Sequence, residues 1–432
     1  MNYNEALEYI HGTYKFGSKL GLHNIKYLLK LMGDPHKDLK FIHVAGTNGK
    51  GSTCAFISSI LVEQGYKVGL FTSPYLEEFT ERIRINGKNI PEKELAKVTE
   101  IVKSKVDIML SEGKSHPTEF EIVTAIAMLF YKLEKTDYVV LEVGLGGRLD
   151  STNVIPAPLV SVITPIALDH TEYLGDTLDK IAFEKAGIIK NNSIVVAHPQ
   201  KKEAMDVIEK VTGDRGSKLL IVPIEEAEIE KYDEFGVKFN INLFDEKYCD
   251  LEIGLLGKHQ VSNAVVALTC IKALKKYYEI DISEKSIRNG LKNTKWSGRL
   301  EVLRRNPTLL IDGAHNIHGA KALKKTIEDV FEYNRLIGVI GVLGDKDVDG
   351  ILSEIIPLCH KVVITKPNNP RAISLDELEK KIKFFSKDVY AYEDINSAVN
   401  KSLDLAKEND LILYCGSLYM IGDVRTILTK DK

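Results

Sequence analysis

Phe41-Ile-His-Val-Ala-Gly-Thr-Asn-Gly-Lys-Gly-Ser-Thr53 is the stretch that decides how this chain is read. An apolar, strand-forming run from Phe41 to Val44 breaks off at a glycine-rich turn. The turn carries one lysine, Lys50, then Ser52 and Thr53, and a helical pattern follows. Such a turn forms a phosphate cradle. Glycines let backbone N–H groups crowd an anion, the helix N-terminus adds partial positive charge, and lysine adds a full one. A hydroxyl just past the lysine can ligate Mg²⁺. The common phosphate loop reads G-x-x-x-x-G-K-[ST]. Here Gly46-Thr47-Asn48-Gly49-Lys50-Gly51-Ser52 is shorter, with Gly51 inserted between lysine and hydroxyl. The competing reading is an ordinary glycine-rich strand-to-helix turn. It leaves the coincidence of lysine, hydroxyl and strand–turn–helix context without a reason.

Outward from this loop, strand-like and helical runs alternate through the first 220 residues. Strands are expected at Phe41–Ala45, Lys67–Phe71, Asp137–Val143, Leu159–Thr164, Ser193–Ala197 and Leu219–Val222. Helices are expected at Lys50–Gln64, Thr118–Leu133 and Thr177–Ala186. This rhythm predicts a doubly wound parallel sheet. Phe235–Leu256 alternates more loosely, through Val237, Phe239, Ile241 and Leu243, and reads as an antiparallel flank on that sheet; Val261–Tyr277 returns to helix. Asn293–Pro307 holds the sole tryptophan, Trp296, with Gly298 and three arginines, and reads as a boundary. Beyond it the rhythm restarts, with strands at Leu309–Asp312, Leu336–Leu343, Lys361–Thr365, Val389–Tyr392 and Leu411–Cys415. Helices are expected between them at Ala320–Phe331 and Ser374–Phe385. The expected fold is α/β: a P-loop-containing doubly wound sheet with an antiparallel flank over residues 1–295, plus a smaller Rossmann-like C-terminal domain over 296–432.

At 432 residues, the chain exceeds one ordinary core. A net charge of −3 gives no electrostatic case for nucleic acid. No run approaches about 18 apolar residues, so no membrane span is expected. The N-terminus lacks the basic and apolar regions of a signal peptide. Five cysteines without C-x-x-C spacing read as buried free thiols, not a disulfide frame or zinc site. A cytoplasmic monomer acting on small molecules is the expectation.

Ligands of open parallel sheets bind beyond the carboxyl ends of the strands, so polar residues there come first. Ser73 follows one strand in Thr-Ser-Pro-Tyr; alone, it reads equally as a turn serine. Glu142 ends a very apolar run. An acid there needs a cation or donor: Mg²⁺, or a structural arginine such as Arg148. His170 closes Ala167-Leu-Asp-His170. Serine hydroxyl, carboxylate and imidazole together make a set for a second divalent ion. Lys185 lies in Glu184-Lys-Ala-Gly-Ile188. Its neighbours look buried, which would lower its pKa and free a neutral amine to capture CO₂ as a carbamate. Asp312, His315 and Asn316 end the first strand of the second unit. Arg299, in the connecting segment, is placed to swing onto a γ-phosphate; otherwise it is a linker salt bridge.

The motifs, in order, are His43–Thr53, Thr72-Ser-Pro-Tyr75 with Glu81-Arg-Ile83, Glu142–Asn153, Ala167–His170, Glu184–Ile188, Gly298-Arg-Leu-Glu301, Asp312-Gly-Ala-His-Asn316 and Gly416-Ser-Leu-Tyr419. The series spans nearly the whole chain. It resembles the folylpolyglutamate synthase/dihydrofolate synthase family within the Mur ligase superfamily of ATP-dependent amide ligases. The resemblance implies that Thr47, Asn48, Gly49, Lys50, Gly51 and Ser52 hold the ATP phosphates, with Ser52 on one Mg²⁺. It implies that Ser73, Glu142 and His170 hold a second Mg²⁺, that Lys185 is carbamylated, and that Asn263, Arg299 and Asp312 contact ATP. His315 and Ser417 would lie near the incoming glutamate. Thr118, Glu119, Phe120, Glu121 and Leu149 would contact dihydropteroate. Ile317 departs from the proline that often follows His-Asn in the family. Within Leu20–Asn24, His23 and Asn24 stand where relatives often show an acid and an arginine.

The implied reaction activates a carboxylate as an acyl phosphate, and the amine of L-glutamate then attacks it. Gly146-Gly-Arg-Leu-Asp150 resembles bifunctional relatives, which use dihydropteroate as well as reduced folates. The alternatives are a monofunctional folylpolyglutamate synthase and a peptidoglycan-precursor ligase. The latter carries an extra N-terminal domain, whereas Gly46 lies early in this chain. From a different class, a P-loop nucleotide-binding switch would not need Ser73, Glu142, His170 and a second unit carrying Asp312.

Overall fold

The computed structural model describes residues 1–17, 21–385 and 388–430; Leu20 therefore lies outside the described residues. Its centre is an eight-stranded sheet. The strands are β1 (Phe41–Ala45), β2 (Val68–Phe71), β3 (Ile83–Ile85), β4 (Lys88–Asn89), β5 (Tyr138–Glu142), β6 (Val160–Ile163), β7 (Ile194–Ala197) and β8 (Lys218–Ile221), in the order β4-β3-β2-β5-β1-β6-β7-β8. From β2 to β8 all pairings are parallel; β3 and β4 add an antiparallel flank.

The central strands are covered on both sides, and neighbours along them feed opposite cores. Ile42, Val44 and Val140 enter one cluster, while Phe41, Val139 and Leu141 enter the other. That two-sided burial is why β1 and β5 read as continuous apolar runs. On one face lie α1 (Tyr3–Gly12), α2 (His23–Leu31), α4 (Glu92–Ser111) and α5 (Glu119–Leu133). The other carries α3 (Lys50–Glu63), α9 (Lys258–Tyr278) and α10 (Glu284–Asn293). Helices α6 (Thr171–Leu174), α7 (Leu178–Ala186) and α8 (Lys202–Asp214) connect β6, β7 and β8.

The antiparallel stretch sits differently from its expected position. Strands β9 (Ala227–Asp233), β10 (Gly236–Leu243) and β11 (Glu246–Ile253) form a three-stranded sheet of their own. Val237, Phe239, Ile241 and Leu243 are buried and face the α9 side of the same core, so its attachment to the main sheet is through side chains, not a shared hydrogen-bond ladder.

The βα rhythm after the connecting segment is as expected, with one addition. Strands β13 (Thr308–Asp312), β14 (Leu336–Ile340), β15 (Lys361–Thr365), β16 (Val389–Tyr392) and β17 (Leu411–Cys415) are parallel. An antiparallel edge strand, β12 (Glu301–Arg304), precedes them, in the order β12-β13-β17-β14-β15-β16. Helices α11 (Ile317–Val330), α12 (Val348–Ile355) and α13 (Leu375–Lys383) lie over one core, and α14 (Ile395–Leu405) and α15 (Leu418–Thr429) over the other. The expected boundary at 295/296 falls between α10 and β12.

All five cysteines are free, but Cys249 is exposed, which corrects the expectation of five buried thiols. It stands on β11 between residues of a strand with one solvent-facing side. No helix among the described residues is long and apolar enough to cross a membrane.

Candidate active site

The loop between β1 and α3 sits where the sheet's strand order reverses, with β5 on one side and β6 on the other, the usual ligand position in such sheets. Gly49 caps α3 in the left-handed region at φ 83°, which glycine adopts without penalty. Its neighbour is Asn263 of α9, whose amide occupies the space a side chain would need. The loop is braced from below. Thr47 and Asn48 donate backbone N–H to Pro165 O at 2.9 and 3.2 Å, and the Thr47 hydroxyl bonds Ala167 at 3.0 and 3.1 Å. Lys50 folds back, its Nζ donating to Gly46 O and Thr47 O at 3.1 and 3.2 Å.

One cavity of about 420 Å³ opens above this loop. Thr47, Asn48, Gly49, Lys50, Gly51, Ser52, Ser73, Glu142, His170, Lys185, Asn263, Arg299, Asp312 and His315 all line it. Residues from both large sheets are thus brought to one space. A direct bond joins them: Asn316 Nδ2 donates to Asn48 Oδ1 at 3.0 Å.

Three ionisable groups of the cavity, Glu142, Asp312 and Lys185, are buried without an ion pair among the described residues. Glu142 is 5% exposed, and one of its oxygens accepts the Ser73 N–H at 3.0 Å. Among the described residues it has no ion pair; Arg148 instead holds Glu184 at 2.8 Å. Burial raises the Glu142 carboxyl, against the opposing pull of Lys50 and Arg299. Asp312, 7% exposed, accepts N–H groups from Leu300 and Ala314 at 2.9 and 2.8 Å, and burial raises it as well. Arg299 donates to Gly298 O at 3.1 Å and carries no ion pair among the described residues, so it is not a linker salt bridge. Lys185, 4% exposed, donates to Gly46 O at 2.8 Å. Burial, with Lys50 nearby, lowers it to about 7. Burial also drops His315 to about 4. Its Nδ1 faces Gly313 O at 2.8 Å, so in the neutral ring that nitrogen carries the hydrogen and Nε2 is the free acceptor. His170 sits at φ 51°, its imidazole lowered by burial.

Glu142 fits a cation: it is a buried carboxylate with no ion pair among the described residues, and it lines the same cavity as Ser52, Ser73 and His170. No group of three His, Cys, Asp or Glu among the described residues forms a metal cluster by itself. The expected set has only two such residues.

Six of the expected residues lie outside the cavity lining. Thr118 and Glu121 close a capping box on α5, the Glu121 carboxylate accepting Thr118 N–H at 2.8 Å, which accounts for both residue types structurally. Phe120 presses on Gly144, a lining residue, and Glu119 faces His11 at 3.8 Å. Leu149 is half-buried. Ser417 stands at the N-cap position of α15, its hydroxyl buried and without a hydrogen-bond partner among the described residues.

The sequence reading passed over three lining elements. Asp169 pairs with Lys346 at 2.8 Å, linking the two sheets, with both side chains largely buried. Burial raises the Asp169 carboxyl, but His170, Lys346 and His315 outweigh it and hold it at about 2. His259 and Gln260 precede Asn263 on α9, and the Gln260 carboxamide accepts from Asn263 at 2.9 Å. His318, Gly319 and Leu323 of α11 form the far wall. Asp169 was visible as the acid of Ala-Leu-Asp-His; Lys346, in Gly344-Asp-Lys-Asp347, had no nearby signal.

The Mur ligase middle domain matches residues 44–271, and the Mur ligase glutamate ligase domain matches residues 298–418. Dihydrofolate synthase/folylpolyglutamate synthase of Bacillus subtilis is 37% identical over 428 residues, covering 98% of each chain. The Mycobacterium tuberculosis folylpolyglutamate synthase complexed with ADP and AMPPCP superposes with a TM-score of 0.90 at 31% identity over 99% of each chain. Escherichia coli FolC in complex with DHPP and ADP gives 0.88 at 29% identity, over 100% of this chain and 98% of that one. With both sheets contributing to one phosphate-loop cavity and these matches running end to end, the chain belongs to the dihydrofolate synthase/folylpolyglutamate synthase family of Mur ligases and is an ATP-dependent ligase.

Proposed function

We propose that this chain joins L-glutamate to the carboxyl group of dihydropteroate, and to reduced folates that already carry glutamate, through an acyl phosphate. The observation that carries the reading is the shared cavity, where the phosphate loop of one sheet faces Arg299, Asp312 and His315 of the other. ATP would lie along Thr47–Ser52, with Asn263, Arg299 and Asp312 around it. Ser52 would hold one Mg²⁺, and Ser73, Glu142 and His170 a second; the ions would supply charge neutralisation on the phosphates. Lys185, lowered to about 7, has neutral amine to spare for a carbamate beside that site.

In the first step the acceptor's carboxylate oxygen attacks the γ-phosphorus, and the bond to the ADP oxygen breaks. Lys50 and Arg299 would stabilise the charge on the transferring phosphoryl group. In the second step the glutamate amine attacks the acyl carbon. His315 Nε2, the free acceptor of a ring neutral at pH 7, would take the amine's proton. The tetrahedral intermediate then expels phosphate. Closure of the two sheets around the bound substrates would keep water from the acyl phosphate. Thr118, Glu119, Phe120, Glu121 and Leu149 are assigned to the pterin side, where Phe120 meets the cavity wall at Gly144. Ser417, whose buried hydroxyl has no partner among the described residues, is assigned to the glutamate side.

The test is ADP release with ATP, Mg²⁺ and dihydropteroate, with and without L-glutamate, and the same with tetrahydrofolate. Glutamate-dependent release with a new amide is expected. Release indifferent to glutamate, with no amide formed, overturns the reading and favours a nucleotide switch.

A further inference from the structure

Gly51 is the residue that sets this phosphate loop apart from the common one, and neither phosphate binding nor backbone conformation explains it. The residue lies in the first turn of α3 with no left-handed φ, so another residue could take its conformation. In a helix, glycine is less stable than alanine. What excludes a side chain is Trp296. A Cβ at Gly51 would stand 2.8 Å from Cζ2 and 3.0 Å from Cε2 and Nε1 of the indole.

Trp296 belongs to the segment between α10 and β12, three residues before Arg299. Its ring is covered by Arg84, whose guanidinium carbon lies 5.4 Å from the ring centroid. Arg84 is fixed in turn by Asn89 at 3.0 Å and Glu81 at 3.2 Å. The Glu81 carboxylate accepts N–H groups from Leu76, Glu77 and Glu78 at 2.9–3.0 Å, which shapes the loop carrying Ser73. On the other side, Gly298 O accepts Gly313 N–H at 2.9 Å, and the Arg299 guanidinium packs where a Gly313 side chain would be. The indole therefore sits between the phosphate loop, the Ser73 loop and the segment that delivers Arg299.

We propose that Trp296 is a positioning residue of the ligase reaction: its indole, seated on Gly51 and clamped by Arg84, sets the placement of Arg299 over the phosphate loop. The proposal rests on the nucleotide site assigned above. A shift of the loop on nucleotide binding reaches Arg299 through this contact.

The single tryptophan makes the test direct. Mg·ADP is titrated while tryptophan emission is followed, and ADP binding is measured separately by equilibrium dialysis. Emission is expected to change along the dialysis isotherm. Trp296→Leu should lower kcat about tenfold with little change in KM for ATP, and Trp296→Phe, which keeps a flat ring, should restore most of it. Gly51→Ala should cost at least about fivefold less in the Trp296→Leu background than in the wild type, because its clash is gone. Emission that stays silent while dialysis shows ADP bound overturns the proposal and leaves the nucleotide site standing. Additive effects of the two substitutions overturn it whatever the emission does. Absence of ADP binding by dialysis removes the nucleotide site and the proposal together.

Discussion

Replacing Lys185 by methionine should make the protein more stable and the enzyme nearly inactive. Methionine matches the lysine stem in length but carries no charge. Burial and Lys50 move Lys185 from its ordinary 10.5 to about 7. At about 1.4 kcal/mol for each pH unit, holding the ammonium in the folded state at pH 7 costs about 4 kcal/mol. The variant loses the bond from Nζ to Gly46 O at 2.8 Å, worth about 1 kcal/mol. That carbonyl keeps a donor in Lys50 at 3.1 Å. The net expectation is a gain of about 3 kcal/mol at pH 7. The sign follows from proton counts: between pH 7 and 10.5 the unfolded chain binds a proton that the folded protein has shed, so wild-type stability rises with pH. The variant lacks this rise, so its advantage shrinks to zero near about pH 10, and above pH 10.5 it is about 1 kcal/mol less stable for want of the Nζ bond to Gly46 O. Chemical denaturation in CO₂-free buffers across this range measures both. A variant no more stable at pH 7, or one with the wild-type pH slope, refutes the account of Lys185 as a desolvated cation. Ligase turnover should fall about 100-fold in the same variant, as when a transition-state donor is removed, and native mass spectrometry of the wild type should show the CO₂ adduct on Lys185.

Two further outcomes follow from the same cavity. Arg299→Lys keeps the charge but loses the fork, and should lower kcat about 100-fold with KM for ATP nearly unchanged in steady-state assays; an unchanged kcat would remove Arg299 from the phosphoryl-transfer step. Glu142→Gln should raise the Mg²⁺ concentration needed for half-maximal rate. It should also stabilise the metal-free protein at neutral pH, because burial raises this carboxyl and the folded state pays for ionising it. That gain should vanish as pH falls below the ordinary carboxylate range, and thermal melts with and without Mg²⁺ read both effects.

Much of this architecture is written in local sequence. β1 and β5 are buried at every position and apolar at most, with His43 and Glu142 the exceptions, because both faces are covered. The loop residues were legible because their chemistry clusters within seven positions. Other features depend on partners far along the chain. Val237–Leu243 alternates as any half-buried strand does, and nothing in that alternation says which sheet it will join. Glu301–Arg304 pairs antiparallel with β13 although it lies in a segment that reads as a linker. Helix α4 buries Leu95, Val98, Val102, Val106 and Met109 at helical spacing, a pattern present in the sequence but outside the reading made around the loop. Lys346 meets Asp169 across 177 positions, a distance no local pattern spans. Thr118 and Glu121 show the reverse case. The resemblance assigns them to substrate, while the structure already employs both as a helix cap.

The cavity joins these observations into one physical argument. Glu142, Asp312 and Lys185 are buried and His315 is half-buried, and desolvation moves each toward its neutral form. Among the described residues, Glu142 and Arg299 have no ion partners, whereas Asp169 and Lys346 satisfy each other. A core evolved for stability alone would replace such groups with apolar ones of similar volume. Kept as they are, they favour a ligand that brings both signs at once: phosphate oxygens for Arg299 and Lys50, and cations for Glu142. Its binding would relieve desolvation on both sheets together. The free energy of that relief is available to hold the second sheet, with Arg299, Asp312 and His315, against the phosphate loop. The linkage between occupancy and alignment is thus set by the charges the fold leaves unmatched, and Trp296 on Gly51 is the apolar contact through which the loop's position reaches Arg299.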